Sequence, residues 1–226
     1  MTWLSFGLLL FTVAVYYGIK SLYRRRPKIY LSPLLLTPTV IIVLLVQGDI
    51  PYETYNAGAH WLTDMIGPAT IALAVPLYKN ITLLRKYAVE IMASVLIGSA
   101  AGVATSVWIA KGLRLDGQII DGLVLRSTTT PIAIAITDMI GGIPAMTALF
   151  VLVTGLLGTV VGPMLIRLFR IRSGVAQGVL LGTSAHTAGT TTAFEFGVVS
   201  GTVSSISMLV TALLALVVVP WLVQLL

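Results

Sequence analysis

Residues 119–140 read IIDGLVLRSTTTPIAIAITDMI, an apolar stretch of membrane-spanning length interrupted near its middle by Arg126, Ser127, Thr128, Thr129, Thr130 and Pro131. Helical backbone facing lipid satisfies its own polar groups, and irregular backbone survives at that depth only where protein or water covers it. An arginine there costs several kcal/mol unless it pairs or faces water. The stretch therefore reads as a broken or re-entrant helix beside a polar cavity.

Working outward, the rest of the chain is written for lipid. Hydrophobic residues make up 57% of the 226 positions and charged residues only 10%, against about a quarter charged in a soluble domain. There is room for eight apolar segments of roughly 20 residues, at 3–22, 30–47, 61–78, 87–110, 119–140, 145–168, 174–198 and 202–225. The expected fold is an all-α polytopic membrane protein of seven or eight hydrophobic segments, two of them broken or re-entrant. It forms one transmembrane domain over 1–226 with no second, soluble domain.

Cysteine is absent, which removes disulfides, thiolate metal sites and cysteine nucleophiles. The net charge of +6 does not mark a nucleic-acid binder, because 11 of the 14 Lys and Arg residues fall in three short loops. These are Lys20, Arg24, Arg25, Arg26 and Lys28; then Lys79, Arg85 and Lys86; then Arg167, Arg170 and Arg172. Clusters of this kind mark the cytoplasmic side. Residues 1–18 lack a basic leader and are followed by the basic cluster, so they read as a retained first helix rather than a signal peptide.

Placing all three loops inside sends the N-terminus outside and puts Asp49, Glu53 and Asp64 on the outer face. If the fifth segment crossed fully, the Arg167 loop would lie outside; entry and exit on one side return it to the cytoplasm. The seventh segment has the same broken character, with Gly182, Thr183, Ser184, His186, Thr187, Gly189, Thr190, Thr191 and Thr192 within eleven residues. An internal repeat is also suggested: Thr37-Pro38, Gly48 and Ile50-Pro51 recur 93 residues on as Thr130-Pro131, Gly141 and Ile143-Pro144. That spacing suggests half-repeats 1–112 and 113–226, and transporters are often built from such halves around a midplane site.

Arg126 is the most informative side chain. Its planar donors suit a carboxylate, Ser127, Thr128, Thr129 and Thr130 add hydroxyls, and a helix beginning near Pro131 aims unpaired N–H groups at the same place. The bland alternative is that Arg126 snorkels to the interface or pairs with Asp121 or Asp138. Thr183, Ser184, His186, Thr187 and Thr190 complete the expected site from the seventh segment. His186 titrates near neutral pH and could relay a proton with Glu195, although a lone histidine among threonines is as readily structural. Pro68, Pro76, Pro131 and Gly189 are candidate hinges. Gly155, Gly158 and Gly162 read as a helix-packing stripe. No Ser/His/Asp set, HExxH or phosphate loop is present, so neither an enzyme nor a cofactor or metal is expected.

The chain resembles the LrgB/CidB family over nearly its whole length. The carrying residues are Tyr52-Glu53-Thr54-Tyr55, the run from Gly67-Pro68 through Val75-Pro76-Leu77-Tyr78, Ser127-Thr128-Thr129-Thr130-Pro131, Ile140-Gly141-Gly142-Ile143-Pro144, Gly182-Thr183-Ser184-Ala185-His186 and Gly189-Thr190. Family members commonly read Pro-Lys-Ser where this chain has Leu125-Arg126-Ser127, so the positive charge is kept and the proline lost. The resemblance implies a multi-pass protein of the bacterial inner membrane and two possible roles. One is antiholin-like regulation of murein hydrolases and lysis with a small LrgA/CidA-type membrane partner. The other is transport of small monocarboxylates such as glycolate, glycerate or pyruvate, as in the similar C-terminal part of the plastid glycolate/glycerate translocator. The broken polar segments favour the carrier, by alternating access, as monomer or homo-oligomer; the antiholin-like regulator is the alternative.

Overall fold

The computed structural model describes residues 3–26, 31–65, 68, 71–72, 74–79 and 81–223. All regular structure among them is helical, and the chain divides into two compact units, Met1–Ala69 and Thr70–Leu226. Four helices are long and apolar enough to cross a membrane, at Leu4–Arg25, Ala88–Gly112, Pro144–Leu168 and Val198–Trp221, with shorter apolar helices at Pro33–Gln47 and Thr130–Ile140. The protein is a multi-pass helical membrane protein.

The first unit holds α1 (Trp3–Arg25), α2 (Pro33–Gln47) and α3 (Tyr52–Asp64). Gly58 of α3 sits against the Ser5 carbonyl of α1 with no space for a side chain, and Thr12 Oγ1 lies 3.3 Å from the Tyr55 hydroxyl. The third apolar segment, expected over 61–78, is not one helix. Pro51 stands at the N-cap and Glu53 in the first turn of a helix that starts at Tyr52, where a carboxylate complements the positive helix end. Of the proline-bearing run 67–78, Gly67, Ala69, Thr70 and Leu73 lie outside the described residues. Pro76 falls in a short helix, α4 (Ala74–Lys79), which is followed by α5 (Ile81–Lys86).

The second unit continues with α6 (Ala88–Gly112), α7 (Gly117–Val124), α8 (Thr130–Ile140), α9 (Pro144–Leu168), α10 (Gly174–Phe196) and α11 (Val198–Val223). Helix α7 ends just before the polar run, and α8 restarts with Pro131 in its first turn, where a missing N–H costs nothing. A β-carbon on Gly122 of α7 would lie 3.1 Å from Thr147 Oγ1, and one on Gly142 would lie 3.9 Å from Asp121 Cβ. Thr137 of α8 donates to Thr147 at 2.9 Å. The far end of α8 thus returns beside the beginning of α7, and the two form a hairpin with its turn at 125–129.

Helix α10 also turns back on itself. Ala185 (φ −132°, ψ 17°) and His186 (φ 42°, ψ −130°) leave the helical region. As a result Gly189, eight residues past Leu181, abuts the Leu181 carbonyl; in a straight helix that separation is roughly 12 Å. Ala193 joins Leu181 and Ile166 in one buried cluster, against which Ile171 and Phe196 both pack. Both ends of this second hairpin lie at the α9 terminus.

Between helices in lipid, close van der Waals packing of small residues replaces the hydrophobic effect. Gly178 and Gly182 bring α10 onto the Ser200 and Ser204 backbone of α11. Gly158 and Gly162 of α9 receive Ala185 and Leu181. Ile91 and Val95 of α6 cluster with Val179 of α10 and with Val203 and Ile206 of α11, while Ala110 clusters with Val219. The first arm of α10 and all of α11 therefore run parallel to α6, and α9 runs against them.

The 93-residue correspondence does not extend to backbone conformation. Thr37 and Pro38 lie inside α2, whereas Thr130 and Pro131 open α8. Gly48 has φ −89° and Gly141 φ 74°.

Two helix ends carry arginine where glycine is relaxed. Arg114 (φ 54°) and Arg170 (φ 51°) follow α6 and α9 in the left-handed region, which costs a side-chain-bearing residue about 1 kcal/mol. Arg114→Gly and Arg170→Gly are each expected to raise stability in detergent by up to that amount. Thermal unfolding of the purified variants measures it, and a loss of stability at both sites would refute the assignment.

Candidate functional site

The first hairpin's turn is tight. Leu125 N–H donates to Gly122 O at 3.2 Å, Arg126 N–H to Leu123 O at 3.3 Å and Thr128 N–H to Leu125 O at 2.9 Å. This winding aims the Arg126 side chain at the middle of α6. Its Nε–H donates to Ser106 Oγ at 2.8 Å, Nη1 to Ser127 Oγ at 3.0 Å and Nη2 to the Gly102 carbonyl at 3.3 Å. Three of the five guanidinium N–H groups are thus engaged and two are left. All three acceptors are neutral, and no carboxylate among the described residues pairs with Arg126. That removes Asp121 and Asp138 as its counter-ions.

Arg126 lines a cavity of about 1020 Å³ bounded by α6, the 124–128 turn, the first arm of α10 and α11. Ser99, Ser127, Thr128, Thr183 and Ser184 share its wall with apolar side chains such as Val103, Val107, Leu214 and Val218. Thr183 Oγ1 and Ser99 Oγ are buried without a hydrogen-bond partner among the described residues. An unpaired buried hydroxyl costs about 1–3 kcal/mol, so a polar group held between Arg126 and these two would relieve it.

The expected site residues divide. Arg126, Ser127, Thr128, Thr183 and Ser184 face one cavity. Thr129 is buried at the start of α8 with its hydroxyl unpartnered among the described residues, and Thr130 is the first residue of that helix. His186 points the other way. It is 5% exposed and packs over Gly155 of α9, and its Nε2 lies 3.0 Å from the Val151 carbonyl. A carbonyl only accepts, so Nε2 carries the proton. Thr187 donates to Met208 Sδ at 3.4 Å. Thr190 bonds the His186 carbonyl at 3.0 Å and Ser204 Oγ at 2.9 Å, tying the second arm of α10 to α11. Glu195 is exposed at the far end of that arm, roughly 13 Å along it from His186, so the two are not brought together. Gly189 is a close-contact position, and the Gly155, Gly158 and Gly162 stripe is the bed in which the α10 turn lies.

Sequence reasoning missed Ser106, Gly102 and Ser99 of α6. A signal was available: Ser94, Gly98, Gly102, Ser106 and Ala110 recur every four residues, which places small side chains along one helix face. Only their contact with Arg126 distinguishes this stripe from ordinary packing.

Comparison with known proteins gives a consistent family. The model of the LrgB-like family matches residues 12–225. Uncharacterized protein YwbG of Bacillus subtilis (strain 168) is 55% identical over 214 residues, covering 95% of each chain. Uncharacterized protein YxaC of the same strain is 37% identical over 207 residues, 92% of this chain and 90% of its own. Antiholin-like protein LrgB of Bacillus mycoides (strain KBAB4) is 33% identical over 217 residues, 95% and 94% of the two chains. No solved structure matches the chain significantly.

Proposed function

This chain belongs to the LrgB-like family, and we propose that it acts in the bacterial inner membrane as an antiholin-like protein, restraining murein hydrolase activity and lysis together with a small LrgA/CidA-type membrane subunit. The observation that carries this reading is the likeness, over almost the full length of both chains, to a relative named an antiholin-like protein. It moves the regulatory role ahead of the carrier that the residues alone put first. The test is lysis and hydrolase activity in a bacterium lacking its own LrgB-type protein, with and without this chain and an LrgA-type subunit. Restored resistance to lysis supports the role; unchanged lysis with both proteins present sinks it.

A second reading rests on Arg126, a cation without a counter-ion among the described residues that faces a cavity between two helix turns. It is a carrier of small monocarboxylates by alternating access, without bond chemistry. The carboxylate takes the two remaining guanidinium N–H groups, and Ser127, Thr183 and Ser184 supply hydroxyls. In this reading the basic loops at 79–86 and 167–172 face the cytoplasm and the N-terminus faces outward. The packing of the first arm of α10 alongside the start of α6 supports one side for both loops. Uptake of labelled pyruvate or glycolate into proteoliposomes tests it, and saturable uptake is the expected result. Ser106→Ala removes the acceptor that aims Arg126 and is expected to weaken carboxylate affinity about 5-fold, from a net loss of about 1 kcal/mol. Ser106→Thr should restore it, whereas equal affinity in the Ala variant would show that Arg126 needs no such aim.

A further inference from the structure

We infer that residues 88–143 and 144–199 are one inverted structural repeat, whose two hairpins close the Arg126 cavity from opposite membrane faces as separate gates. The gating part rests on the carrier reading; the repeat does not.

The backbone carries the correspondence element by element. Helices Ala88–Gly112 and Pro144–Leu168 have 25 residues each and start 56 positions apart. Both are capped in nearly the same conformation, Leu113 at φ −84°, ψ 1° and Phe169 at φ −87°, ψ 3°. Each is followed by an arginine in the left-handed region, Arg114 and Arg170. Each end closes with the same long bond, Leu115 N–H to Ala110 O at 3.0 Å and Ile171 N–H to Ile166 O at 2.9 Å. Next comes a side-chain N-cap, Asp116 or Ser173, then a hairpin opening at Gly117 or Gly174. The hairpins end at Ile140 and Phe196, before Gly141 and Gly197, the two glycines with positive φ among the described residues.

The copies are inverted because α9 runs against α6, so each hairpin starts from a different end of the bundle. Both turns nonetheless reach the same level. Arg126 meets Gly102 and Ser106 of α6, and Thr183 lies 3.7 Å from where a Gly98 β-carbon would be. These contacts are about one helical turn apart, around the midpoint of a 25-residue helix. The arms are roughly 12–18 Å long at 1.5 Å per residue, half of a hydrocarbon core of about 30 Å. Counting 57 positions on, as from Gly117 to Gly174, Arg126 corresponds to Thr183 and Ser127 to Ser184. The cavity is therefore lined by equivalent positions of the two copies, and its cations, Arg126 and, farther along α6, Lys111, both come from the first copy. A small carboxylate fits such a site, and reaching it from either face means moving the hairpin that comes from that face. The hairpins are held differently: the α10 turn is wedged into the α9 glycines, while the first is held to α6 by the guanidinium a carboxylate would bind.

The chain has no cysteine, so single cysteines report directly. Lys86→Cys, Gln118→Cys, Ile143→Cys, Arg172→Cys and Val198→Cys, all at exposed positions, are labelled with a membrane-impermeant maleimide in right-side-out and inside-out vesicles. Positions 118 and 143 should react from one face, and 86, 172 and 198 from the other. Positions 118 and 143 on opposite faces, or all five on one face, would overturn the repeat. For the gates, Ser127→Cys and Ser184→Cys should each react from both faces, and saturating pyruvate should change both rates several-fold. Reaction from one face only, unchanged by pyruvate, would overturn the gating. Absent uptake with the labelling pattern intact would remove the carrier reading and leave the repeat standing.

Discussion

Replacing Arg126 with methionine is expected to lower the affinity for pyruvate or glycolate by roughly 30-fold or more, and to abolish saturable uptake. The guanidinium is the one cation in the 125–129 turn; the other cation on the cavity wall, Lys111, stands five residues beyond Ser106, roughly 8 Å along α6. Truncating one partner of a desolvated, hydrogen-bonded charge pair costs about 2–5 kcal/mol, and each 1.4 kcal/mol is tenfold. Methionine keeps the length and apolar stem, so the loss reports the charge rather than packing. Arg126→Lys keeps the charge but gives up the planar fork that serves Ser106, Ser127 and Gly102 together, and should recover only part of the affinity. Calorimetric titration of the purified protein is the measurement. Wild-type affinity in the methionine variant would remove Arg126 from the site and leave the antiholin-like role without a carboxylate ligand.

The second large effect is on stability. Gly182→Leu is expected to destabilise the second unit by about 3 kcal/mol, the upper end for inserting bulk into a packed interior. A β-carbon at Gly182 would overlap the Ser204 carbonyl of α11, and at Gly178 it would come within 2.5 Å of the Ser200 carbonyl. Backbone cannot swing away as a side chain can, so α10 and α11 would separate and break the Thr190–Ser204 and Ser200–Gln177 bonds. Thermal unfolding in detergent reads the change. Gly112→Leu, at a position with open space around it, is the control and should be close to neutral.

Much of the local structure was legible because its causes are local. The polar run from Arg126 to Thr130 is where the helix stops, since hydroxyls compete for backbone groups and Pro131 suits only a first turn. Arg126 was recognisable as exceptional because the cost of a lone cation in an apolar segment does not depend on the fold. The glycines at 155, 158 and 162 were recognisable as close-packing positions on the same ground. His186 was read in two ways because its surroundings are not local: Val151 and Gly155, which hold its ring, lie more than thirty positions away.

The 93-residue correspondence failed where the 56-residue one succeeds, for a related reason. Thr, Pro, Gly and Ile recur easily in apolar helices, and matching letters do not require matching dihedrals. The copies starting at Ala88 and Pro144 share few letters but share caps, left-handed positions and hairpin ends. Those features are set by backbone geometry, which several residue types can satisfy; Asp116 and Ser173 each cap a helix through a side-chain oxygen, one accepting from Gln118 N–H and the other from Ala176 N–H.

The sequence by itself determined that this is a helical multi-pass membrane protein, and it singled out the cation that has no business in lipid. Composition, hydrophobic run length and single-residue solvation costs are properties of short stretches. The tertiary structure alone decided which way each interruption turns, that Ser106 and Gly102 hold Arg126, and that Thr183 joins it while His186 faces α9. Those outcomes follow from which small residues let two backbones approach, and that depends on a partner helix far along the chain.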